Sequence, residues 1–128
     1  MRKEPLGRKY KQLNKKYGRL LKKLRTDPKE IEFCRNKLAE IEDTMVNRNL
    51  KGIELEKKGN MEDAVKLYEQ NITDEFDGTH PYNRLAIIYR KKGQIEDEIK
   101  VLKKAMQVLK SNKFKERLKK AKTLRTKK

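Results

Sequence analysis

The residues that decide the fold are those at 49–66, NLKGIELEKKGNMEDAVK, because they return 34 positions later as NRLAIIYRKKGQIEDEIK at 83–100. Eight of these eighteen positions are identical, including the Lys-Lys-Gly triplets that end at Gly59 and Gly93. Self-similarity at a fixed spacing is typical of repeat architectures. The chain is therefore predicted to contain a repeated unit of 34 residues.

A fainter copy of the unit lies another 34 residues toward the N-terminus. Large or apolar residues align at matching positions of all three copies: Cys34 with Tyr68 and Leu102, and Leu38 with Ile72 and Met106. The sequence thus predicts units at 11–44, 45–78 and 79–112, followed by a remainder at 113–128.

Each unit is predicted to be a pair of helices. In the third unit, Pro81 can begin the first helix, where the missing N–H of proline is not needed. Gly93 can end that helix, since glycine adopts the left-handed conformation found after helix C-termini. The second unit repeats the plan with Gly59, while the first breaks at Asp27 and Pro28, an N-cap residue and a first-turn proline. No strand-like alternation occurs in the sequence, so the predicted fold is all-α with about seven helices.

This pattern resembles the tetratricopeptide repeat, an antiparallel helix pair that stacks into a right-handed superhelix. The second unit has the small, large, turn, small and aromatic residues of the family at Gly52, Leu55, Gly59, Ala64 and Tyr68. The third keeps most of the pattern, at Leu85, Ala86, Tyr89, Gly93 and Ala105.

The sequence also departs from the family pattern. Glu98 stands in the third unit where the family prefers alanine, and Glu30 occupies the same position of a degenerate first unit. The resemblance implies one right-handed α-solenoid domain over residues 1–128, with a degenerate repeat at 11–44, repeats at 45–78 and 79–112, and a basic capping helix at 113–128.

Positive charge is concentrated at the two ends of the chain. The net charge of +17 divides into +10 for residues 1–26, −1 for 27–112 and +8 for 113–128. Apolar residues recur at helical spacing among the N-terminal lysines and arginines, which predicts an amphipathic helix docked on the repeats. Its apolar stripe is predicted to comprise Tyr10, Leu13, Tyr17, Leu20, Leu21 and Leu24. Phe114, Leu118 and Ala121 are expected to cover the last repeat.

Residue types suited to catalysis or cofactor binding are scarce. The single His, His80, is expected at the surface, and the single Cys, Cys34, is expected to be buried. They form neither a nucleophile–base pair nor a zinc site. The acidic stretch at 74–78 lacks the ligand spacing of a calcium loop and is interpreted as a polar turn. We therefore expect no enzymatic activity, no metal and no other cofactor.

Without a secretion signal or an apolar run of roughly 18 residues, a cytoplasmic location is expected.

The resemblance implies that a partner binds in a concave groove lined by the first helix of each unit. By helical phase, the expected groove residues are Lys15, Arg19, Lys22, Lys23, Asn49, Ile53, Glu56, Lys57, Asn83, Arg84, Ile87, Arg90 and Lys91. Because this set is strongly cationic, the sequence predicts a non-enzymatic adaptor or regulator that binds an acidic peptide or an acidic protein surface.

The alternative function is nucleic-acid binding by the basic ends of the chain. Phosphates would then be contacted by Arg8, Lys9, Lys11, Lys16, Lys119, Lys120, Lys122 and Arg125. No base-reading module is present, so such contacts would be weakly sequence-specific. A membrane surface is less favoured, because the apolar stripe of the N-terminal helix is needed to cover the repeats. The sequence leaves the oligomeric state open.

Overall fold

The computed structural model describes residues 4–126, which excludes the outermost residues of the predicted N-terminal segment and of the capping segment. Within this range the chain forms six helices and no strand, which confirms the all-α class. Consecutive helices pack against each other across short turns, as antiparallel pairs do. The helices are α1 (Leu6–Lys22), α2 (Pro28–Lys57), α3 (Met61–Thr73), α4 (His80–Lys91), α5 (Ile95–Leu109) and α6 (Lys115–Thr126).

The ends of the helices follow the local signals in the sequence. The Asp27 side chain accepts a hydrogen bond of 3.0 Å from a first-turn backbone N–H of α2, and Pro28 begins that helix. Pro81 lies in the first turn of α4. Gly59 and Gly93 follow α2 and α4 with φ angles of +81° and +73°, a conformation that glycine adopts without a steric penalty. The predicted caps and glycine stops are therefore confirmed.

The main difference from the sequence prediction lies in α2. The boundary between the first two predicted units falls at residues 44 and 45, but α2 runs without a break from Pro28 to Lys57. The chain consequently has six described helices instead of about seven. The segment 41–50, IEDTMVNRNL, contains neither glycine nor proline, so nothing in it ends a helix. The segment 74–81, DEFDGTHP, contains both and separates α3 from α4.

Two shorter helices, α1 and α3, lie end to end along α2. At 1.5 Å per residue α2 is about 45 Å long, whereas α1 and α3 are about 25 Å and about 20 Å long. The backbone N–H of Gly7 donates a 2.7 Å hydrogen bond to the carbonyl of Asp74, which brings the start of α1 to the end of α3. The first predicted unit is thus a hairpin formed by α1 and the first half of α2. No turn separates it from the second unit, because α2 continues into that unit.

The main hydrophobic core belongs to α3, α4, α5 and the last segment of the chain. Its buried side chains include Ala64, Tyr68, Tyr82, Leu85, Ala86, Ile88, Tyr89, Ile99, Leu102, Ala105, Phe114 and Ala121. As predicted, Phe114 and Ala121 cover the last helix pair. No α1 residue takes part in this core cluster.

The helix α1 is held on α2 by a smaller apolar contact. Leu20 is buried there together with Cys34, Leu38 and Met45 of α2. The predicted apolar stripe is wrong at its C-terminal end, because Leu21 and Leu24 are exposed. Leu24 lies beyond Lys22, the last residue of α1, and therefore no longer follows the helical phase.

Candidate interaction surfaces

A polar cluster joins the second half of α2 to α3 and α4. The Glu56 carboxylate accepts a 2.6 Å hydrogen bond from the Tyr68 hydroxyl and a bifurcated bond, at 3.2 and 3.1 Å, from Nε of Arg84. Nη2 of Arg84 also donates to this carboxylate. Burial opposes ionisation of Glu56, but the hydrogen bonds from Arg84 and Tyr68 outweigh it and lower the pKa of this carboxyl. The charge of Arg84 is therefore balanced inside the protein.

His80 packs beside this cluster, with its ring edge-on to Tyr68 at a centroid distance of 5.4 Å. Its Nε2 atom is buried and has no hydrogen-bond partner among the described residues. Burial lowers the pKa of His80 and outweighs the opposite effect of the Glu56 charge. His80 thus begins α4 but is half-buried instead of at the surface as expected, whereas the expected burial of Cys34 is confirmed.

A second ion pair, between Arg90 and Glu98, joins α4 to α5. Nε of Arg90 lies 2.8 and 3.0 Å from the two carboxylate oxygens of Glu98, which is only 1% exposed. Arg117 of α6 lies nearby and donates a 2.5 Å hydrogen bond to Asn83 Oδ1. Burial lowers the pKa of Arg117, and the Glu98 charge acts in the opposite direction. The buried negative charge of Glu98, which stands where the family prefers alanine, is therefore balanced by the positive charge of Arg90.

A buried amide network fixes α3 on α2. Nδ2 of Asn71 donates to Asn49 Oδ1 at 2.9 Å and to the carbonyl of Met45 at 2.7 Å. Nη1 of Arg48 donates to Asn71 Oδ1 at 3.1 Å and pairs with Asp74 at 2.6 Å. Asn49 was expected in an open groove, but it is a buried structural residue. The sequence pointed neither to Asn71 nor to Arg48. Asn71 is on α3 and Arg48 is on α2, and each bonds across the contact between the two helices, which cannot be seen in the sequence.

The acidic loop between α3 and α4 anchors the first turn of α1. Besides the backbone bond between Gly7 and Asp74, Arg8 donates to both carboxylate oxygens of Glu75 at 3.0 and 2.7 Å. Lys104 of α5 reaches the same carboxylate at 3.2 Å. The hydrogen bond from Arg8, assisted by Lys104, lowers the pKa of Glu75 against the effect of burial. The polar turn predicted from the sequence thus also connects α1 to α5.

The expected groove residues fall into two separate sets. Those of the first unit are all exposed and lie on α1 or directly after it: Lys15, Arg19, Lys22 and Lys23. Those of α2 and α4 are largely engaged inside the protein, since Asn49 is buried, Asn83 is hydrogen-bonded and Arg84 and Arg90 are ion-paired. Ile53 and Ile87 are half-buried, and Lys57 and Lys91 are exposed. The α4 side therefore has fewer available cations than the sequence suggested.

The strongest available concentration of positive charge is on α1, which contains no Asp or Glu. We call its exposed cations the basic face of α1: Lys9, Lys11, Lys15, Lys16, Arg19 and Lys22. Of the other expected phosphate contacts, Arg8 is paired with Glu75, and Lys119, Lys120, Lys122 and Arg125 are exposed on α6. Arg125 lies 3.6 Å from Glu96.

Comparison with known families identifies the segment formed by α4 and most of α5. Residues 79–108 match the family model of the tetratricopeptide repeat. The third predicted unit is therefore a tetratricopeptide repeat, a module that generally mediates protein–protein binding and is typically not enzymatic. Neither the curated proteins nor the solved structures gave a match to the chain.

Membrane-spanning helices and metal-ligand clusters are both absent from the described part of the chain. Between residues 4 and 126, no helix combines the length and the apolar character needed to cross a membrane. In the same range, no three His, Cys, Asp or Glu side chains are grouped so that they could hold a metal ion.

Proposed function

We propose that this chain is a non-enzymatic adaptor or regulator that binds an acidic segment of a protein partner. The tetratricopeptide-repeat module supports protein binding in general, and the basic face of α1 supports the acidic character of the partner. The proposal restricts the main contact of the expected groove to its α1 side, because Arg84 and Arg90 on the α4 side are engaged by Glu56 and Glu98. It retains the cytoplasmic location expected from the sequence.

The observation that carries the proposal is a row of like charges along α1. Lys11, Lys15, Arg19 and Lys22 follow each other at spacings of three or four residues, so they are neighbours on the helix surface. Each such like-charge pair destabilises a helix by roughly 0.2–0.5 kcal/mol. Since α1 contributes nothing to the main core, this repulsion acts on a weakly held helix. An acidic ligand would replace the repulsion by attraction.

A titration with a labelled acidic peptide tests the proposal. The first variant combines Lys11→Gln, Lys15→Gln, Arg19→Gln and Lys22→Gln. The matched control removes four exposed lysines elsewhere, through Lys66→Gln, Lys92→Gln, Lys100→Gln and Lys103→Gln. Both variants lose the same net charge. We expect affinity to fall about tenfold or more, some 1.4 kcal/mol, in the α1 variant and much less in the control. Equal losses would mean that only the net charge matters and would refute a site on α1.

Nucleic-acid binding is the second candidate, favoured by the exposed Lys119, Lys120 and Lys122 on α6. Together with α1 they provide two basic helices for phosphate contacts. If six or more phosphates are contacted, affinity for random duplex DNA or RNA should fall roughly 10³-fold or more between 50 and 200 mM salt. A chain that binds neither duplex at 50 mM salt would eliminate this candidate. Capture of partners from lysate with and without nuclease shows whether nucleic acid bridges them.

A further inference from the structure

A groove with an apolar floor runs between α1 and the first half of α2. Its floor is formed by Leu13 of α1 with Phe33 and Ile41 of α2, and its volume is about 420 Å³. Phe33 is 60% exposed, although large apolar side chains are usually buried. A separate cavity, lined by Tyr10 and Phe76, lies where α1 and α2 meet the loop between α3 and α4. We refer to the first of these features as the α1–α2 groove.

The rim of the α1–α2 groove is cationic. Lys9, Lys16 and Arg19 line it from α1, and Lys37 lines it from α2. The lining side chains include no carboxylate. The nearest ion pair is that of Lys37 with Glu40, 3.5 Å apart and exposed, and such a surface pair contributes little. The groove thus combines an apolar floor with an excess of positive charge that the protein itself does not balance.

We propose that the α1–α2 groove binds an amphipathic helix of a protein partner, with acidic residues on both sides of its apolar stripe. This proposal rests on the proposed function and specifies the form of the acidic ligand, which here contacts the part of the basic face of α1 formed by Lys9, Lys16 and Arg19. A helix lying between two antiparallel helices presents residues i, i+4 and i+7 to them. From Lys9 to Arg19 the rim is about 15 Å long, which corresponds to about ten residues of bound helix. Its apolar residues contact Leu13, Phe33 and Ile41, and its carboxylates face the cations of the rim.

Two other occupants fit this groove less well. A second copy of the chain would bring together two molecules that each carry a net charge of +17. A single-stranded nucleic acid needs free aromatic faces on which its bases stack. The floor offers only one aromatic ring, and Nζ of Lys37 lies over that ring at 5.8 Å from its centroid. Leu13 and Ile41 are aliphatic and provide no stacking surface.

The test uses two labelled synthetic peptides of about fifteen residues with the same composition. One has leucines at i, i+4, i+7 and i+11 and glutamates at most other positions, and the second is a scrambled version. Fluorescence anisotropy measures their affinity for the full chain at 50 mM salt. We expect the amphipathic peptide to bind at least tenfold more tightly than the scrambled peptide and to gain helicity on binding.

A matched pair of variants localises the contact. Phe33→Ser should weaken binding of the amphipathic peptide about fivefold or more, because it removes the exposed part of the floor. Leu50→Ser is the control, since Leu50 lies on the second half of α2 and is 58% exposed, much like Phe33. It should leave the affinity unchanged. Both residues are too exposed to be needed for folding, and circular dichroism checks this for each variant.

The other outcomes overturn the inference in different ways. Equal affinity for both peptides would show that charge alone is recognised, which ends the groove proposal and leaves the proposed function intact. If neither peptide binds at 50 mM salt, both proposals fail. Tighter binding of a labelled single-stranded oligonucleotide, lost in Phe33→Ser, would assign the groove to nucleic acid. Concentration-dependent dimers in sedimentation, lost in the same variant, would assign it to a second copy.

Discussion

Replacement of Arg90 by methionine tests whether the buried ion pair between α4 and α5 is needed for stability. Methionine retains most of the aliphatic stem but leaves the Glu98 carboxylate, 1% exposed, without the Nε and Nη2 donors of Arg90. Breaking a buried pair in this way costs about 3–5 kcal/mol. We expect about 3 kcal/mol, at the lower end, because the Arg90 side chain is 34% exposed and Arg117 lies close to Glu98. That is a large part of the roughly 5–15 kcal/mol that stabilises a domain.

The measurement is urea unfolding followed by circular dichroism at 222 nm, with Glu98→Ala and the double variant Arg90→Met/Glu98→Ala completing a double-mutant cycle. We expect the double variant to be more stable than Arg90→Met, since it removes the uncompensated charge together with its partner. Arg125→Met is the control, because the pair of Arg125 with Glu96 is exposed and should contribute about 0–1 kcal/mol. A loss below about 1 kcal/mol for Arg90→Met, or strictly additive effects in the cycle, would refute the reasoning.

Three further predictions concern glycine packing and the half-buried histidine. In Gly52→Ala the new Cβ would lie 2.5 Å from Cε1 of Tyr68. The resulting overpacking should cost about 1–3 kcal/mol, which is more than the gain in helix propensity, so the urea midpoint of unfolding should fall. In Gly7→Ala the Cβ would lie 2.7 Å from the Asp74 carbonyl oxygen, which should push the first turn of α1 away from the acidic loop. Amide hydrogens of α1 should then exchange with solvent at least about tenfold faster, while those of α5 should be unchanged. Burial lowers the pKa of His80, so the unfolded chain binds its proton more readily. The stability contributed by neutral His80 should therefore be greatest well above the ordinary histidine pKa of about 6.5 and fall as the pH decreases through that value. His80→Phe should remove this part of the pH dependence.

Each of these three predictions has an outcome that would contradict it. An unchanged urea midpoint in Gly52→Ala would show that Tyr68 can move away from α2 without loss. Unchanged exchange of α1 in Gly7→Ala would mean that its first turn is not held by the acidic loop. A pH dependence that persists in His80→Phe would have to come from another group. The carboxyls of Glu56 and Glu75 are not that group, since their lowered pKa values place their effect at more acidic pH.

Much of the fold could be predicted because helix ends and repeat spacing are local properties of a sequence. Asp27 with Pro28, and the glycines at 59 and 93, act on the backbone of the next or preceding turn, and the structure has these ends where they were predicted. The recurrence of apolar residues every 34 positions likewise identified the buried face of the third unit, which is the unit that the family model matches. Such signals depend on backbone geometry and burial alone.

The candidate site was less predictable, because the availability of a charge depends on its neighbours in space. Helical phase placed Arg84, Arg90 and Glu56 on the expected groove surface, but it did not show that Glu56 pairs with Arg84 or that Glu98 of α5 pairs with Arg90. Phe33 is a similar case: its exposure depends on where α1 lies against α2. The basic composition of α1, in contrast, was evident from the sequence, and its cations lie largely exposed in the structure.

The sequence by itself therefore determined the all-α class, the positions of most helix ends, the tetratricopeptide-repeat pattern that the family model matches at 79–108, and the two basic ends of the chain. Only the tertiary structure decided that α2 continues through the expected turn near residue 44, that α1 lies along it end to end with α3, and which cations remain unpaired. The physical reason is that a cap or a glycine turn acts within a few residues. The docking of one helix on another depends instead on contacts between residues distant in the sequence, such as Gly7 and Asp74.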